Sequence, residues 1–371
     1  LISIAGAIAL AILAHTGHLS PASLLVLCFI VGSGTALLWP AWGAAVSEQV
    51  PNNILPAAVA LNGISYNVAR SFGPAIGGVI VATTARWLWM PLNRSAHFDV
   101  LLIDEAYQLT FADLGALGSL ADQFVLVGDP GQIAPVVTGA TRRWDASTTG
   151  PQIPAPQALI AAHGNDVARL RLPQTWRFGP DTASLLAPLY PSLPFTSARP
   201  PRNLTIGSQP IPEYRATPVP ATGGTADPRV ILTATQTVRD LIATATVNTP
   251  EESRPLTPAD VAVIAPHVEQ AALAAAGLAD LPDVFVGTIN QAQGLQREAV
   301  VAIHPLLGHH VDESFALDLG RLCVALSRHR AHVTVIIDER SGDLLSDAIR
   351  EHPEARTLNV HAQLLDRLTA A

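Results

Sequence analysis

The segment Phe98-Asp-Val-Leu-Leu-Ile103, followed at once by Asp104-Glu-Ala-Tyr-Gln108, decides the fold class of this chain. Its β-branched and leucine side chains predict a short strand buried in a parallel sheet. A second run, Gln123-Phe-Val-Leu-Val127, comes after a helix-like interval and leads directly into Gly128-Asp-Pro-Gly-Gln132. Strands that alternate with helices predict an α/β fold with parallel strands.

The later part of the chain repeats this alternation and predicts another parallel α/β lobe. Between the two parts, residues 191–227 are rich in Pro, Thr, Ser and Gly and predict a linker or insertion. We therefore expect a first lobe at 97–190, a second at 228–340 and a helical tail at 341–371. The strands expected in the second lobe are Arg229–Thr233, Val261–Ala265, Val284–Val286, Ala299–Ile303 and His332–Ile337.

Two acids and an amide follow the predicted strands of the first lobe, at the sheet edge where parallel α/β folds bind ligands. Asp104 could hold Mg²⁺ while Glu105 polarises an attacking water, the arrangement that ATP hydrolysis needs. Gln132 follows a tight turn at Pro130-Gly131 and is placed to contact a phosphate. The acid pair taken alone is equally consistent with solvated loop residues, so the assignment depends on further motifs.

These two segments, Asp104–Gln108 and Val127–Val137, together resemble motifs II and III of superfamily 1 helicases, in the DEAxQ branch. Further segments resemble later motifs of the family, in the same order. They are Leu172–Arg177 (the LxxQYR element), Ile264–Gln270 (motif IV), Val286–Gly294 (motif V) and Arg321–Arg328 (motif VI). The resemblance covers residues 97–340 and implies an incomplete first RecA-like lobe followed by a second RecA-like lobe.

The resemblance also implies a site for ATP and Mg²⁺ and contact with DNA or RNA. Asp104 would hold Mg²⁺, and Glu105 and Gln132 would take part in catalysis. Arg177 and Arg328 would contact the γ-phosphate, because guanidinium groups bind phosphate oxygens by paired hydrogen bonds. The other implied contacts are Trp176 with the adenine, Gln293 and Gly294 with the cleft between lobes, Gln296 with the ribose and Thr288 with a nucleic-acid phosphate. Considered singly, Trp176 could be a core aromatic and Arg328 a surface charge.

Two departures from the family pattern bear on activity. Gln296 stands where the family usually has glutamate, which predicts a weaker ribose contact. A phosphate-binding loop, GxxxxGK[ST], is expected many tens of residues before Asp104, but residues 1–97 contain no such segment and the chain has no lysine. The sequence therefore predicts a helicase-like ATPase that does not hydrolyse ATP by itself.

Residues 1–84 differ in composition from the rest and contain only two charged side chains, Glu48 and Arg70. Three apolar stretches predict about three transmembrane helices in a lipid bilayer. Gly73-Pro-Ala-Ile-Gly-Gly78 resembles the GPxxGG motif of major facilitator superfamily transporters. The resemblance implies a fragment too short for alternating access, which needs two helical bundles. Residues 85–96 would then be the junction of a fusion.

The remaining composition constrains partners and location. A net charge of −8 does not support a globally basic nucleic-acid binder, although a local groove could be positive. Cys28 and Cys323 lie far apart in sequence and predict neither a disulfide nor a metal site. Leu1 at the start and Met90 as the single methionine suggest a fragment or a junction product. We expect a cytoplasmic helicase-like part, with membrane association if residues 1–84 insert.

Three functional hypotheses follow from these patterns. The first is a helicase-type ATPase remnant that is inactive alone. The second is a transporter remnant in which the helicase-like part is a passenger. The third is a membrane-tethered nucleic-acid-binding module without catalysis.

Overall fold

The computed structural model describes residues 97–221, 224, 226–307 and 315–370, together with a few isolated positions before residue 84. The chain divides into two compact units, Leu1–Met90 and Pro91–Ala371. The predicted membrane helices and the junction at 85–96 lie outside the described residues, apart from those isolated positions. Within the part that is described, no helix combines the length and the apolar character that crossing a membrane requires.

Two parallel strands begin the described part of the second unit. β1 (Phe98–Ile103) and β2 (Ala121–Leu126) pair in parallel, and helix α1 (Phe111–Leu117) lies between them in the chain. The side chain of Thr110 accepts a hydrogen bond from the amide of Asp113 (3.0 Å), which fixes the start of α1. The parallel strands predicted from the sequence are therefore confirmed here.

The burial predicted for β1 is wrong on one face of the strand. Val100 and Leu102 are 48% and 63% exposed, whereas Ile103, which faces the other way, is buried. Val125 of β2 pairs with Leu102 and is exposed as well. A parallel strand is fully buried only when layers cover both faces of its sheet, and the described residues cover this two-stranded sheet on one face.

A series of short elements connects this sheet to a larger one. In chain order they are α2 (Ala155–His163), β3 (Gln174–Thr175), α3 (Pro180–Leu186), β4 (Thr196–Ser197), β5 (Asn203–Ile206), β6 (Gln209–Pro210) and β7 (Tyr214–Val219). Residues 191–227, expected to form a linker or insertion, thus contain four strands. The last of them, β7, pairs in parallel with a strand of the larger sheet and forms its edge.

The larger sheet has five parallel strands, and helices follow most of them. The remaining elements are α4 (Pro228–Thr244), β8 (Ala245–Asn248), β9 (Ser253–Pro255), β10 (Val261–Ala265), α5 (Val268–Gly277), β11 (Phe285–Thr288), β12 (Arg297–Ile303), α6 (Leu319–Leu326), β13 (His329–Asp338), α7 (Ser341–Glu351) and α8 (Arg356–Thr369). The strand order is β11-β10-β12-β13-β7, and β6-β5-β8-β9 form a separate antiparallel sheet. The predicted parallel α/β fold is confirmed, and α7 and α8 lie within residues 341–371, where a helical tail is expected.

The strand expected at Arg229–Thr233 is wrong, because this segment is the first part of α4. Pro228 occupies the first turn, where its missing N–H costs nothing, and the Asp227 side chain accepts from the amide of Arg229 (2.8 Å). The buried positions of α4 recur at helical spacing, which outweighs the β propensity of Val and Ile. These positions are Val230, Ala234, Val238 and Leu241.

Two apolar layers cover the five-stranded sheet because alternate residues of each strand point to opposite faces. In β10, Val261 and Val263 belong to one layer and Ala262 and Ile264 to the other. α4 and α5 cover the first face. α6, α7 and α8 cover the second, together with α3 from the connecting region. The connecting region therefore shares one core with the second predicted lobe.

Candidate functional site

The loops that follow β1 and β2 lie side by side, as their positions in the sequence predict. The Val127 amide donates to the carbonyl of Ile103 (2.9 Å), and the Ala106 amide donates to the carbonyl of Val127 (2.8 Å). Gly128 lies so close to this junction that a Cβ there would be 2.9 Å from the nitrogen of Ala106. Backbone bonds thus join the motif II and motif III loops at the carboxyl edge of the sheet.

Asp104 and Glu105 are both exposed at this edge. The Glu105 amide donates to Oδ1 of Asp104 (2.9 Å), and Glu105 Oε2 accepts from the Gln108 side chain (3.3 Å). Glu105 has φ 52° and ψ 38°, the one left-handed non-glycine residue in the part that the structure describes. That conformation costs about 1–2 kcal/mol for an L-residue, so the loop holds the acid pair under strain.

The motif III loop is organised by Asp129, a residue to which sequence reasoning gave no role. Its carboxylate accepts from the amide of Gly131 (2.8 Å), from Nε2 of Gln132 (3.0 Å) and from the hydroxyl of Tyr190 (3.0 Å). The amide nitrogen of Gln132, expected to contact a phosphate, is therefore engaged within its own loop. Tyr190 gave no signal in the sequence because it lies 61 residues after Asp129.

Tyr190 also connects the motif III loop to α6, the helix of motif VI. Its hydroxyl is 3.1 Å from Sγ of Cys323, and a Cβ added to Gly131 would be 2.4 Å from the Tyr190 ring. Burial raises the pKa of the Cys323 thiol to about 11 and also raises the pKa of Tyr190. Both groups therefore stay protonated at neutral pH, so the hydroxyl can donate to Asp129 and the thiol to the hydroxyl.

Arg328 is buried at the end of α6, with 1% of its surface exposed. Its Nη2 donates to the Ser327 hydroxyl (2.9 Å), and its Nε has no partner among the described residues. Burial lowers the pKa of Arg328 to about 10; the neighbouring Arg177 lowers it further, while Asp129 opposes the shift. Arg328 is therefore not a surface charge. The structure places it close to Arg177 and to Asp129 of the motif III loop.

Arg177 is half-buried and also has an Nε without a partner. Within the described ranges neither Arg177 nor Arg328 forms an ion pair with a carboxylate. Two arginines near each other and without such a partner repel, and each retains hydrogen-bonding capacity for an anion. This is the electrostatic feature that the γ-phosphate assignment requires.

Trp176 is 69% exposed, which excludes the core-aromatic alternative. It borders a cavity of about 230 Å³ that also holds two further predicted residues, Arg177 and Gln296. We call this the arginine cavity. Its lining residues are Trp176, Arg177, Arg199, Pro200, Pro201, Arg202, Pro250, Glu251, Gln296 and Arg330. Three of the residues assigned to nucleotide contact are therefore together, and three arginines that the sequence did not indicate lie beside them.

The motif V residues lie at the end of β11 and in the loop after it. Thr288 is half-buried, and both its amide (2.8 Å) and its hydroxyl (3.2 Å) donate to Oε1 of Gln291. Gln293 is half-buried, and the following Gly294 has φ 74°, a conformation that favours glycine. Arg321 of α6 donates to Asn290 in this loop (3.1 Å), which ties motif V to motif VI.

The residues present do not fit a hydrolytic site for ATP with Mg²⁺. Asp104 is exposed, and its Oδ1 already accepts from the amide of Glu105 (2.9 Å). The chain has no lysine for the β- and γ-phosphates, and the Gln132 amide is engaged by Asp129. Arg177 and Arg328 have free donors for an anion, but they form only one side of a site for ATP.

Comparisons with known proteins match both parts of the chain. Residues 1–109 match the family model described as transmembrane secretion effector. The match extends past the predicted boundary at residue 84 and includes the motif II loop. The DNA-binding protein SMUBP-2 of Mesocricetus auratus is 32% identical over 105 residues. The match covers 26% of this chain and 11% of that protein, so the chain spans a small part of this relative. Both resemblances stated from the sequence are confirmed.

Solved helicase structures are also similar to the chain, at a distance. The structure of the PRRSV helicase is 16% identical, with a TM-score of 0.33, over 65% of this chain and 35% of that one. Arterivirus nonstructural protein 10 (helicase) in complex with DNA is 16% identical, with a TM-score of 0.33, over 66% and 41%. Such low TM-scores carry no further conclusion about this chain.

Proposed function

We propose that residues 97–340, the helicase-like part of a chain with a transporter-like N-terminal part, are the remnant of a superfamily 1 helicase-type ATPase. In this proposal the two parallel α/β parts are RecA-like lobes. The remnant keeps the arginine side of a nucleotide site and contact with nucleic acid. It does not hydrolyse ATP by itself.

One observation carries the proposal. The motif III loop contacts the motif VI helix, and Arg328 at the end of that helix is buried near Arg177 without a carboxylate partner. A buried, unpaired guanidinium is costly to a fold, so its retention is typical of a site for an anion. The match to a DNA-binding protein supports nucleic acid as the partner.

Loss of hydrolysis follows from what the site lacks. A P-loop lysine and its backbone nest bind the β- and γ-phosphates, and this chain has no lysine to supply that contact. Asp104 and Glu105 would then have no triphosphate held in line for attack. We therefore infer a chain that contacts nucleic acid without coupling that contact to ATP turnover.

A phosphate-release assay with and without single-stranded DNA or RNA tests the proposal, with Glu105→Gln as the matched variant. We expect no release above background from either protein. Release by the unaltered chain that is lost in Glu105→Gln would overturn the proposal. Binding to an oligonucleotide should weaken as salt rises, because each phosphate contact displaces counterions. Binding that is indifferent to salt would contradict the nucleic-acid part.

A second candidate is favoured by the match of residues 1–109 to a transmembrane secretion family. Under this alternative the N-terminal part anchors the chain to a lipid bilayer, and the helicase-like part is a passenger on the cytoplasmic side. Fractionation after an alkaline carbonate wash separates the candidates. Retention in the membrane pellet favours the anchored protein, and release into the supernatant excludes it.

A further inference from the structure

The two-stranded sheet of β1 and β2 has an exposed apolar face. Alternate residues of a strand point to one side, and three exposed apolar side chains lie on the same side of this sheet. They are Val100, Leu102 and Val125, which are 48%, 63% and 43% exposed. We call this the open face. A pair of strands is only marginally stable in water, and a third strand that covers apolar surface stabilises such a sheet.

The other side of the same sheet carries acidic charge where the strands begin. Asp99 and Asp122 lie opposite each other, since the residues on either side of them are paired in the register of β1 and β2. Both are exposed, and Nε2 of His97 is 3.0 Å from the Asp122 carboxylate. Like charges that lie directly opposite on neighbouring strands repel. The sheet therefore has an apolar side and, on the reverse, an acidic pair.

Another segment of the chain has the complementary pattern. Residues 168–173 read Ala-Arg-Leu-Arg-Leu-Pro, in which arginine and leucine alternate with the period of a strand. All of them are exposed, Leu170 by 99% and Leu172 by 80%. Within the described ranges, no backbone–backbone hydrogen bond involves residues 168–172. This segment, which we call the exchange segment, has the sequence of a strand but is paired with none of the strands described above.

We propose that the exchange segment of one copy of the chain pairs with the sheet of β1 and β2 in a second copy. As an added edge strand, it places its two leucines on the open face and its two arginines on the side of the acidic pair. Backbone hydrogen bonds supply the affinity in this mode of strand addition, and alternate side chains supply the specificity. A shift of register by one residue puts the arginines on the open face, so the charges select which side each residue takes.

A second copy fits because each chain offers both halves of the contact. The exchange segment lies between α2 and β3, and β3 pairs with β4, so both of its ends are held by ordered elements. Two copies that insert their segments into each other complete both sheets, and two-fold symmetry closes the assembly at a dimer. None of the site residues assigned from the sequence lies on this surface. The inference therefore goes beyond the proposed function and does not depend on it.

Sedimentation velocity of the full chain over a series of concentrations tests the dimer. We expect a monomer–dimer equilibrium whose dissociation constant rises about tenfold or more when Arg169→Glu and Arg171→Glu are combined, because reversed charges then meet the acidic pair twice in each dimer. Asp99→Arg combined with Asp122→Arg should weaken the dimer as much. A chain with all four changes should regain the affinity of the unaltered chain.

The matched control for the charge reversal is Arg142→Glu with Arg143→Glu. These two arginines are also exposed and close together in sequence, but they lie outside the exchange segment. The control should leave the dissociation constant unchanged. A four-change chain that dimerises no better than its parents would overturn the proposal.

Leu170→Asn tests the apolar half of the contact. Because Leu170 is 99% exposed in the single chain, its replacement removes no packing there, and a weaker dimer reports on the contact itself. The dissociation constant should rise about tenfold, as expected when a leucine is no longer buried by association. Val268→Asn is the control, at a valine that is 76% exposed at the start of α5.

Hydrogen exchange distinguishes a second copy from the chain's own sheet. Protection of the amides of residues 169–172 that grows with protein concentration supports exchange between copies. Protection that is independent of concentration means that the segment pairs within its own chain, which would overturn the proposal. A chain that stays monomeric throughout the series, or a dimer that Arg169→Glu with Arg171→Glu leaves intact, would overturn it as well.

Discussion

Gly320, in the first turn of α6, lies directly against the backbone of Gln132. A Cβ added at Gly320 would be 2.5 Å from the carbonyl oxygen of Gln132 and 2.8 Å from Cα of Ile133. The helix of motif VI and the loop of motif III therefore meet backbone to backbone. This contact has no room for any side chain, and it holds α6, and so Arg328, beside the motif III loop.

Gly320→Ala should destabilise the fold by about 1–3 kcal/mol, because the backbone atoms it would strike cannot rotate away. Gly342→Ala is the matched control. Gly342 is likewise the second residue of its helix, α7, but an added Cβ meets nothing within 4 Å. The control should be neutral or stabilising by up to about 1 kcal/mol. Urea unfolding measures both, and equal midpoints would refute the contact.

Tyr190→Phe should lower stability by about 1–3 kcal/mol, since it leaves part-buried Asp129 without one donor and Cys323 without its oxygen partner. Tyr107→Phe is the control, a half-buried tyrosine near the same loop. Loss of the Tyr190 hydroxyl should also expose the Cys323 thiol to alkylation under native conditions. The measurement uses a Cys28→Ser background, in which Cys323 is the one remaining cysteine. An unchanged alkylation rate together with unchanged stability would exclude the bridge between motifs III and VI.

The motifs could be predicted from sequence because each one follows a strand whose pattern is local. β1, β2, β10, β12 and β13 lie where runs of β-branched residues indicated them. The burial of Arg328 could not be predicted, since its neighbours include Asp129, Arg177 and Tyr190, which are distant from it in the chain. The same holds for Arg199 and Arg202, which lie far in the chain from Arg330 and from the carboxylate of Glu298 that Arg202 and Arg330 share. The strand expected at Arg229–Thr233 failed because a proline and a capping aspartate begin a helix there.

The shared core predicts that residues 228–340 do not fold as an isolated fragment, although their sequence alone suggested an independent lobe. Isolating residues 228–340 removes β7 from the edge of the five-stranded sheet, and it removes α3 and α8 from one face of that sheet. Leu185, Leu186, Leu364 and Leu368 are nearly or fully buried in that layer. Each fully buried leucine contributes about 1.5–3 kcal/mol, so several such losses exceed a typical stability. A cooperative thermal transition of the fragment by circular dichroism would disprove this.

Buried histidines predict a loss of stability in mild acid. His332 donates from Nδ1 to the carbonyl of Pro212 (2.6 Å) and accepts at Nε2 from Thr334 (2.8 Å), which is its neutral form. Burial lowers the pKa of His332 to about 4, against an ordinary value of 6.5. The unfolded chain therefore binds a proton below pH 6.5 that the folded chain excludes until about pH 4, so stability falls as pH falls through this window.

His332→Gln should make that decline shallower by up to about 1.4 kcal/mol per pH unit, the linkage slope of one proton. Denaturant midpoints between pH 6.5 and 5 measure it, above the range where most carboxylates titrate. The slope is informative even if the variant is less stable at every pH. His352→Gln changes an exposed histidine and serves as the control. The same slope in the unaltered chain and in His332→Gln would contradict a buried neutral ring.

Arg328→Met should raise stability while it weakens anion binding. The arginine is 1% exposed, has no carboxylate partner in the described ranges and lies near Arg177, so its burial costs free energy that a methionine of similar length would not. Replacing buried charged groups by apolar ones is neutral or stabilising by about 1–4 kcal/mol in comparable cases. Arg321→Met is the control, and it should destabilise, because Arg321 pairs with Asp318 and donates to Asn290. A gain of stability in Arg328→Met together with a loss in Arg321→Met would mean that Arg328 is kept for a ligand. A loss of stability in both variants would make Arg328 a structural residue of α6.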